Sequence, residues 1–157
     1  MIEFRFSEDL SKRLAAAEKA LVDFTPAMAA IADLMRSDAV IAFETETGPD
    51  GLRWKPSRRA IEEGGLTLTD TGHLRQSITA VSDNRSATIG TNLIYAAIHQ
   101  NGGRITPRSG RALRTPAGPR GAVNMPARPF LGFSPASVGA IEDILGRHIA
   151  KAMGAPA

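Results

Sequence analysis

The sequence predicts an α+β fold: a small antiparallel sheet covered by long helices, with a long Gly/Pro/Arg-rich arm. Three observations carry this prediction. First, Ile2-Glu3-Phe4-Arg5-Phe6 alternates apolar and charged residues, the period of a half-buried strand, and Ser77–Asp83 with Ser86–Gly90 reads as a hairpin around Asp83-Asn84. Second, Leu10, Leu14, Ala17 and Leu21 recur at spacings of four, three and four, and Val138, Ile141, Leu145 and Ile149 form a similar stripe, so two helices each carry one apolar face. Third, residues 101–129 hold five Gly, five Pro and six Arg with no helical or strand period. Loops of that length are uncommon inside a compact domain and usually serve a function.

The remaining elements follow in order. Ser7 is placed to cap the first helix. Thr25-Pro26 starts a second, with the hydroxyl as cap and the proline at the first helical position, and its expected buried face is Ile31, Leu34, Met35 and either Ala39 or Ala42, extending toward Phe43. Gly48-Pro49-Asp50-Gly51 is a turn cluster that ends it. The polar passage KPSRRAIEEGG reads as a loop with one helical turn, and His73–Ser77 as another turn of helix. In the hairpin the inward residues are Ile78, Ala80, Ala87 and Ile89. Tyr95–Gln100 is a short helix that brings Tyr95, Ile98 and His99 to one face. Phe130–Phe133 reads as a short strand, and Ser134-Pro135 opens the last helix. The 157 residues suit one domain over 1–157, with an extended arm at about 101–129 and a frayed tail at 153–157.

Charge is distributed unevenly. Residues 1–83 hold 10 basic and 14 acidic side chains, whereas residues 84–157 hold 9 basic and 2 acidic. From Asn84 to Ile141 there is no acid. Such a split points to a surface that meets something negative, either nucleic acid or an acidic face of a neighbouring copy. With no cysteine, disulfides and thiolate metal sites are excluded. No apolar run approaches the roughly 20 residues of a membrane span, and MIEFRFSEDL, with its acids, does not read as a signal peptide. No membrane partner is expected.

Catalysis finds little support. His73, His99 and His148 show no pair at the i, i+4 spacing of a helical metal motif, and no G-x-S-x-G or G-x-x-x-x-G-K-[ST] occurs. Asp70 near His73 fits an orienting pair, but a local cap explains Thr69-Asp70-Thr71-Gly72 equally well. The expectation is a protein that is not an enzyme and carries no cofactor and no metal. His99 and Gln100 then read as backbone hydrogen-bonding groups at a helix end, which Asn101-Gly102-Gly103 stops.

Four passages together resemble one family. They are GPDGLRWKPS (Gly48–Ser57), LTDTGHLRQSI (Leu68–Ile78), IGTNLIYAAIHQNGG (Ile89–Gly103) and MPARPFLGFS (Met125–Ser134). Their order and spacing are similar to the phage virion morphogenesis family, the tail-completion proteins of Mu-like and related long-tailed phages. Asn101 stands where an aromatic is common in that family. The resemblance implies a structural virion protein at the head–tail neck, made in the host cytoplasm. It implies a ring, expected to be hexameric, that caps the tail tube, completes the tail like a tail terminator and offers the surface for head joining. Its partners would be copies of itself, the tail tube protein, head-closure or connector proteins, and DNA passing through the lumen.

Within that frame Arg104, Arg108, Arg111, Arg114, Arg120 and Arg128 are candidate subunit-interface residues. All six charges of the arm are Arg, suited to bidentate contacts with carboxylates or phosphates. Ordering a Gly/Pro-rich arm costs about 1–2 kcal/mol per residue, which suits an arm fixed by a neighbour. Trp54, Tyr95, His99, Gln100 and Phe130 are candidate structural anchors. The alternative reading is a basic nucleic-acid-binding module that contacts DNA phosphates through the same arm.

Overall fold

Asp23 and Asn84 organise the first corner of the chain. The Asp23 carboxylate accepts the Thr25 N–H at 3.0 Å, and the Asn84 amide oxygen accepts the Phe24 N–H at 2.5 Å. The Asn84 amide also donates to the Val22 carbonyl at 2.7 Å. Between these bonds one helix, α1 (Glu8–Val22), ends and the next, α2 (Thr25–Thr45), begins. Thr25 is therefore the first helical residue, and the capping expected of its hydroxyl falls to the Asp23 carboxylate. Bonds from the Thr25 side chain and backbone hold the Asp23 carboxyl below the usual carboxylate range.

The computed structural model describes residues 8–108, 110, 112–115 and 118–153, and the Leu21 side chain of the expected α1 stripe lies outside what it describes. The expected strand Ile2–Phe6, the Ser7 cap, Arg111 and the tail beyond Met153 lie outside the described residues. After α2 come α3 (Arg58–Glu62), α4 (His73–Gln76), β1 (Thr79–Ser82) and β2 (Ala87–Gly90). Next are α5 (Ala96–Asn101), β3 (Gly103–Ile105), β4 (Leu113–Thr115), β5 (Gly118–Arg120), β6 (Val123–Met125) and α6 (Pro135–Ala152). The fold is α+β. Its described strands form three two-stranded ladders, β1–β2, β3–β6 and β4–β5.

The described residues fall into two compact units. One takes those of Met1–Ser37, Ala80–Ile89 and Pro135–Ala157. In it α1 packs against α6, the Phe24 and His148 rings stand 5.1 Å apart, and Ala27, Ile31 and Ala32 are buried. The turn of the β1–β2 hairpin is built by Asp83, whose carboxylate accepts the Arg85 and Ser86 N–H groups at 2.7 and 2.8 Å. Alternation in the hairpin follows the expected face: Ala80, Ala87 and Ile89 are half-buried while Val81 and Thr88 are exposed. The α1 stripe departs from expectation, because Leu10 is 40% and Leu14 52% exposed. The spacing makes an apolar face, but the described chain covers only part of it.

The second unit takes Asp38–Thr79 and Gly90–Ser134. Its centre is an aromatic cluster in which Phe43, fully buried, meets Trp54 edge-on at 5.7 Å and Phe130 at 5.2 Å. The Gly48–Gly51 turn closes with the Gly51 N–H on the Gly48 carbonyl at 2.9 Å and delivers Trp54, whose N–H bonds the Glu46 carbonyl at 2.7 Å. The Glu46 carboxylate accepts the N–H of the buried Thr67 at 2.6 Å, and bonds to Thr67 hold that carboxyl below its ordinary range. The polar passage after Trp54 contains α3, capped by the Ser57 hydroxyl on the Ala60 N–H at 3.1 Å.

The arm is more regular than its composition suggests. β3 pairs antiparallel with β6, Gly103 opposite Met125 and Ile105 opposite Val123. β4 pairs with β5, Leu113 opposite Arg120 and Thr115 opposite Gly118. Strands of three residues are too short to show a period against five Gly and five Pro. The opposite correction applies to Phe130–Phe133, which forms no strand.

Candidate assembly surface

The arm begins and ends at one corner, fastened by hydrogen bonds from Gln100, His99, Trp54 and Arg128. α5 stops at Gly102, whose φ of 67° and close approach to the return segment both favour glycine; an added Cβ would lie 2.6 Å from the Ala127 nitrogen. The Gln100 side chain then acts where a strand partner was expected. Its Oε1 accepts the Phe130 and Leu131 N–H groups, each at 3.0 Å, and its Nε2 donates to the Leu131 carbonyl at 2.7 Å. One amide thus supplies the hydrogen bonds of a ladder rung, and the segment needs no neighbouring strand.

His99 contributes its backbone. Its carbonyl accepts the Arg128 N–H at 2.7 Å, while its Nδ1 is buried without a hydrogen-bond partner among the described residues. Burial, with the Arg128 charge nearby, pushes the His99 pKa down, so the ring is neutral at neutral pH. Tyr95 is exposed at the edge of this ring, centroids 6.1 Å apart. Trp54 and Phe130 are buried, and the Trp54 indole N–H donates to the Pro129 carbonyl at 2.9 Å. The corner thus brings Trp54, His99, Gln100 and Phe130 together around the returning chain.

The arginines divide into two groups. Arg104, Arg108, Arg114 and Arg120 are exposed, and among the described residues none has an ion pair. Arg104 and Arg114 occupy the outward positions of strands whose neighbours Ile105, Leu113 and Thr115 are half-buried. Arg128 differs, and its grouping with candidate interface residues is corrected. It is only 4% exposed, and its guanidinium donates to the Lys55 carbonyl at 2.7 Å and the Pro56 carbonyl at 3.4 Å. These two bonds tie the arm's return to the segment after Trp54. The signal for this was the spacing in Pro-Ala-Arg-Pro-Phe, which places Arg128 beside the buried Phe130 rather than on the ribbon. Asn84 and Thr67, which make long-range bonds, gave no sequence signal beyond being turn-forming residues.

Beside the corner lies a cleft of about 480 Å³ walled by α3, α4, Tyr95, His99 and β6. A second, of about 870 Å³, lies between α3 with its acids and Thr115, Arg120 and the β6 strand of the arm. Among the described residues no helix is long and apolar enough to cross a membrane, and no group of three His, Asp or Glu side chains is placed to hold a metal ion.

Comparison with known proteins agrees with the resemblance. Residues 6–150 match the model of the phage virion morphogenesis family. The chain is 35% identical over 134 residues to "Mu-like prophage FluMu G protein 2" of Haemophilus influenzae, covering 85% of this chain and 84% of the relative. It is 32% identical over 125 residues to "Putative capsid assembly protein G" of Escherichia phage Mu, covering 71% and 70%. No solved structure matches it. With a fastened corner, an exposed arginine ribbon and nearly its whole length matched, this chain belongs to the phage virion morphogenesis family, and its role is a structural one in virion assembly.

Proposed function

We propose that this protein completes the phage tail at the head–tail junction, as a ring of identical copies that caps the tail tube and offers a surface to the head. The observation that carries this reading is the arm: a ribbon fastened at its base by Gln100 and Arg128 that holds Arg104, Arg108, Arg114 and Arg120 exposed, without ion pairs among the described residues. An exposed run of guanidinium groups suits carboxylates of an adjoining subunit, and a ring lets every copy place its arm on the next. The partners are further copies, the tail tube protein and the head-closure or connector proteins. In the Mu relative the name speaks of capsid assembly, which fits work done where head and tail meet. The test is complementation. Phage lacking this protein should accumulate heads and tails that do not join, and supplying the wild-type chain should restore tailed particles.

The acid-free run from Asn84 to Ile141 favours one alternative, in which the same arginines meet DNA phosphates. That reading requires a gel shift at low salt that falls steeply as salt rises.

A further inference from the structure

The arginines of the arm do not all face one way. In the β4–β5 ladder Leu113 stands opposite Arg120 and Thr115 opposite Gly118, while Arg114 stands opposite Pro119. Residues directly opposite in an antiparallel pair share a face, and neighbours along a strand alternate between faces. Arg120 therefore lies on the face of Leu113 and Thr115, and Arg114 on the other. The larger cleft agrees: Thr115 and Arg120 help to line it, and Arg114 takes no part in it.

The charges of that cleft pair off unevenly. Three carboxylates and three guanidinium groups line it. Arg58 pairs with Glu62 at 2.6 Å and Arg59 faces Asp70 at 3.7 Å. What remains is Glu63, just past the end of α3, and Arg120 on the arm. Both are exposed, and neither has an ion pair among the described residues. The β4–β5 ladder also has a glycine on each side of it. Gly110 precedes β4 with a φ of 68°, and Gly121 follows β5; a Cβ added at either would meet nothing within 4 Å. Backbone angles at such positions change without a clash, as a hinge requires.

We infer that the β4–β5 ladder is a strap that closes over α3 of its own chain, bringing Arg120 to the Glu63 carboxylate. Closure narrows the cleft over Ala122 and Val123 and withholds Arg120 from other partners, while Arg114 stays on the outer face. The inference needs one chain only and does not rest on the proposed ring. In a ring, an adjoining subunit has to draw Arg120 away from Glu63, so the strap and assembly compete for one guanidinium. A surface ion pair shifts a population by no more than about fivefold, so the strap is reversible and sensitive to salt.

Arg114 and Arg120 are both trypsin sites, one on each face of the ladder, so the ratio of cleavage after them reads closure against an internal standard. The full-length chain is digested briefly at low ionic strength and low protein concentration, and the nicks are counted by mass spectrometry. Glu63→Gln, at an exposed position, should raise cleavage after Arg120 relative to Arg114 by about two- to fivefold. High salt should raise the wild-type ratio by a similar factor and leave that of the variant unchanged. The wild-type ratio should not vary with protein concentration, because the carboxylate belongs to the same chain. A ratio that Glu63→Gln does not alter, or a wild-type ratio indifferent to salt, overturns the strap. So does protection of Arg120 that grows with protein concentration, which would assign the carboxylate to a second copy.

Discussion

Gln100 holds Phe130 by its own backbone: the amide oxygen accepts the Phe130 N–H at 3.0 Å and shares itself with Leu131 at the same distance. With the return bond to the Leu131 carbonyl, one side chain satisfies three backbone groups across about thirty residues of arm. Gln100→Leu keeps most of the volume and removes every partner. Leaving part-buried donors and acceptors unpaired costs about 1–3 kcal/mol each where water cannot replace the bond. We expect a loss of about 2–4 kcal/mol in urea unfolding, with faster tryptic cleavage at Arg120. A loss below about 0.5 kcal/mol would show that water takes over the rung.

Trp54 gives a graded test of the aromatic cluster. Trp54→Ala leaves a cavity beside Phe43 and Phe130 and should cost about 3–5 kcal/mol. Trp54→Phe keeps an aromatic contact but strands the Pro129 carbonyl, so its cost should fall between wild type and Ala. Equal melting temperatures for all three would place the energy of this unit elsewhere.

Close backbone approach makes two glycines unlike a third. At Gly132 a Cβ would lie 2.5 Å from Pro49 Cγ, whereas at Gly121 nothing lies within 4 Å. Gly132→Ala should destabilise by about 1–3 kcal/mol through overpacking, as should Gly102→Ala through its contact with Ala127, and Gly121→Ala should be close to neutral. Thermal unfolding of the three variants decides this.

His99 sets a pH dependence of definite sign. Its folded pKa is lowered below the ordinary 6.5, so the unfolded chain takes up a proton that the folded chain refuses. Stability therefore falls as pH drops below about 6.5, and the loss is complete once pH passes the folded pKa. The depressed carboxyls of Asp23, Glu46 and Asp83 contribute in the same direction only below about 4.5. His99→Gln should lessen the loss between pH 6.5 and 5 and leave the steeper loss at lower pH. Identical curves for the two proteins would show that His99 does not titrate against the fold.

The exposed ribbon predicts a separation of folding from assembly. Exposed ion pairs contribute about 0–1 kcal/mol each, so a single reversal should do little. Arg108→Glu, Arg114→Glu and Arg120→Glu combined should leave the melting temperature within a few degrees of wild type and suppress tailed particles in complementation. High salt should weaken wild-type association for the same reason. Normal particle counts from the triple variant would make the ribbon a passive connection.

What the sequence made legible depended on how local the cause was. The α2 face, the hairpin alternation and Pro135 opening α6 were readable because each follows from a period or a dipeptide. The ladders of the arm were not, since each strand has only three residues, β3 pairs with β6 across a long loop, and β4 and β5 lie among Gly, Pro and Arg that mask any period. Phe130–Phe133 misled because a β-rich apolar run was satisfied by a distant side chain, Gln100. Arg128 misled because charge normally signals exposure, and here backbone carbonyls of Lys55 and Pro56 take its donors instead. The exposed leucines of α1 show the same limit: spacing reveals an apolar face, not what covers it.

The central claim is a ring of this chain at the end of the tail, and a cryo-EM map of the assembled particle tests it most directly. The account predicts closed cyclic density for the chain between tail tube and head, with each arm ribbon on the adjoining subunit. Finding the chain absent from that position, or present there as isolated copies whose ribbons touch no neighbour, would contradict it.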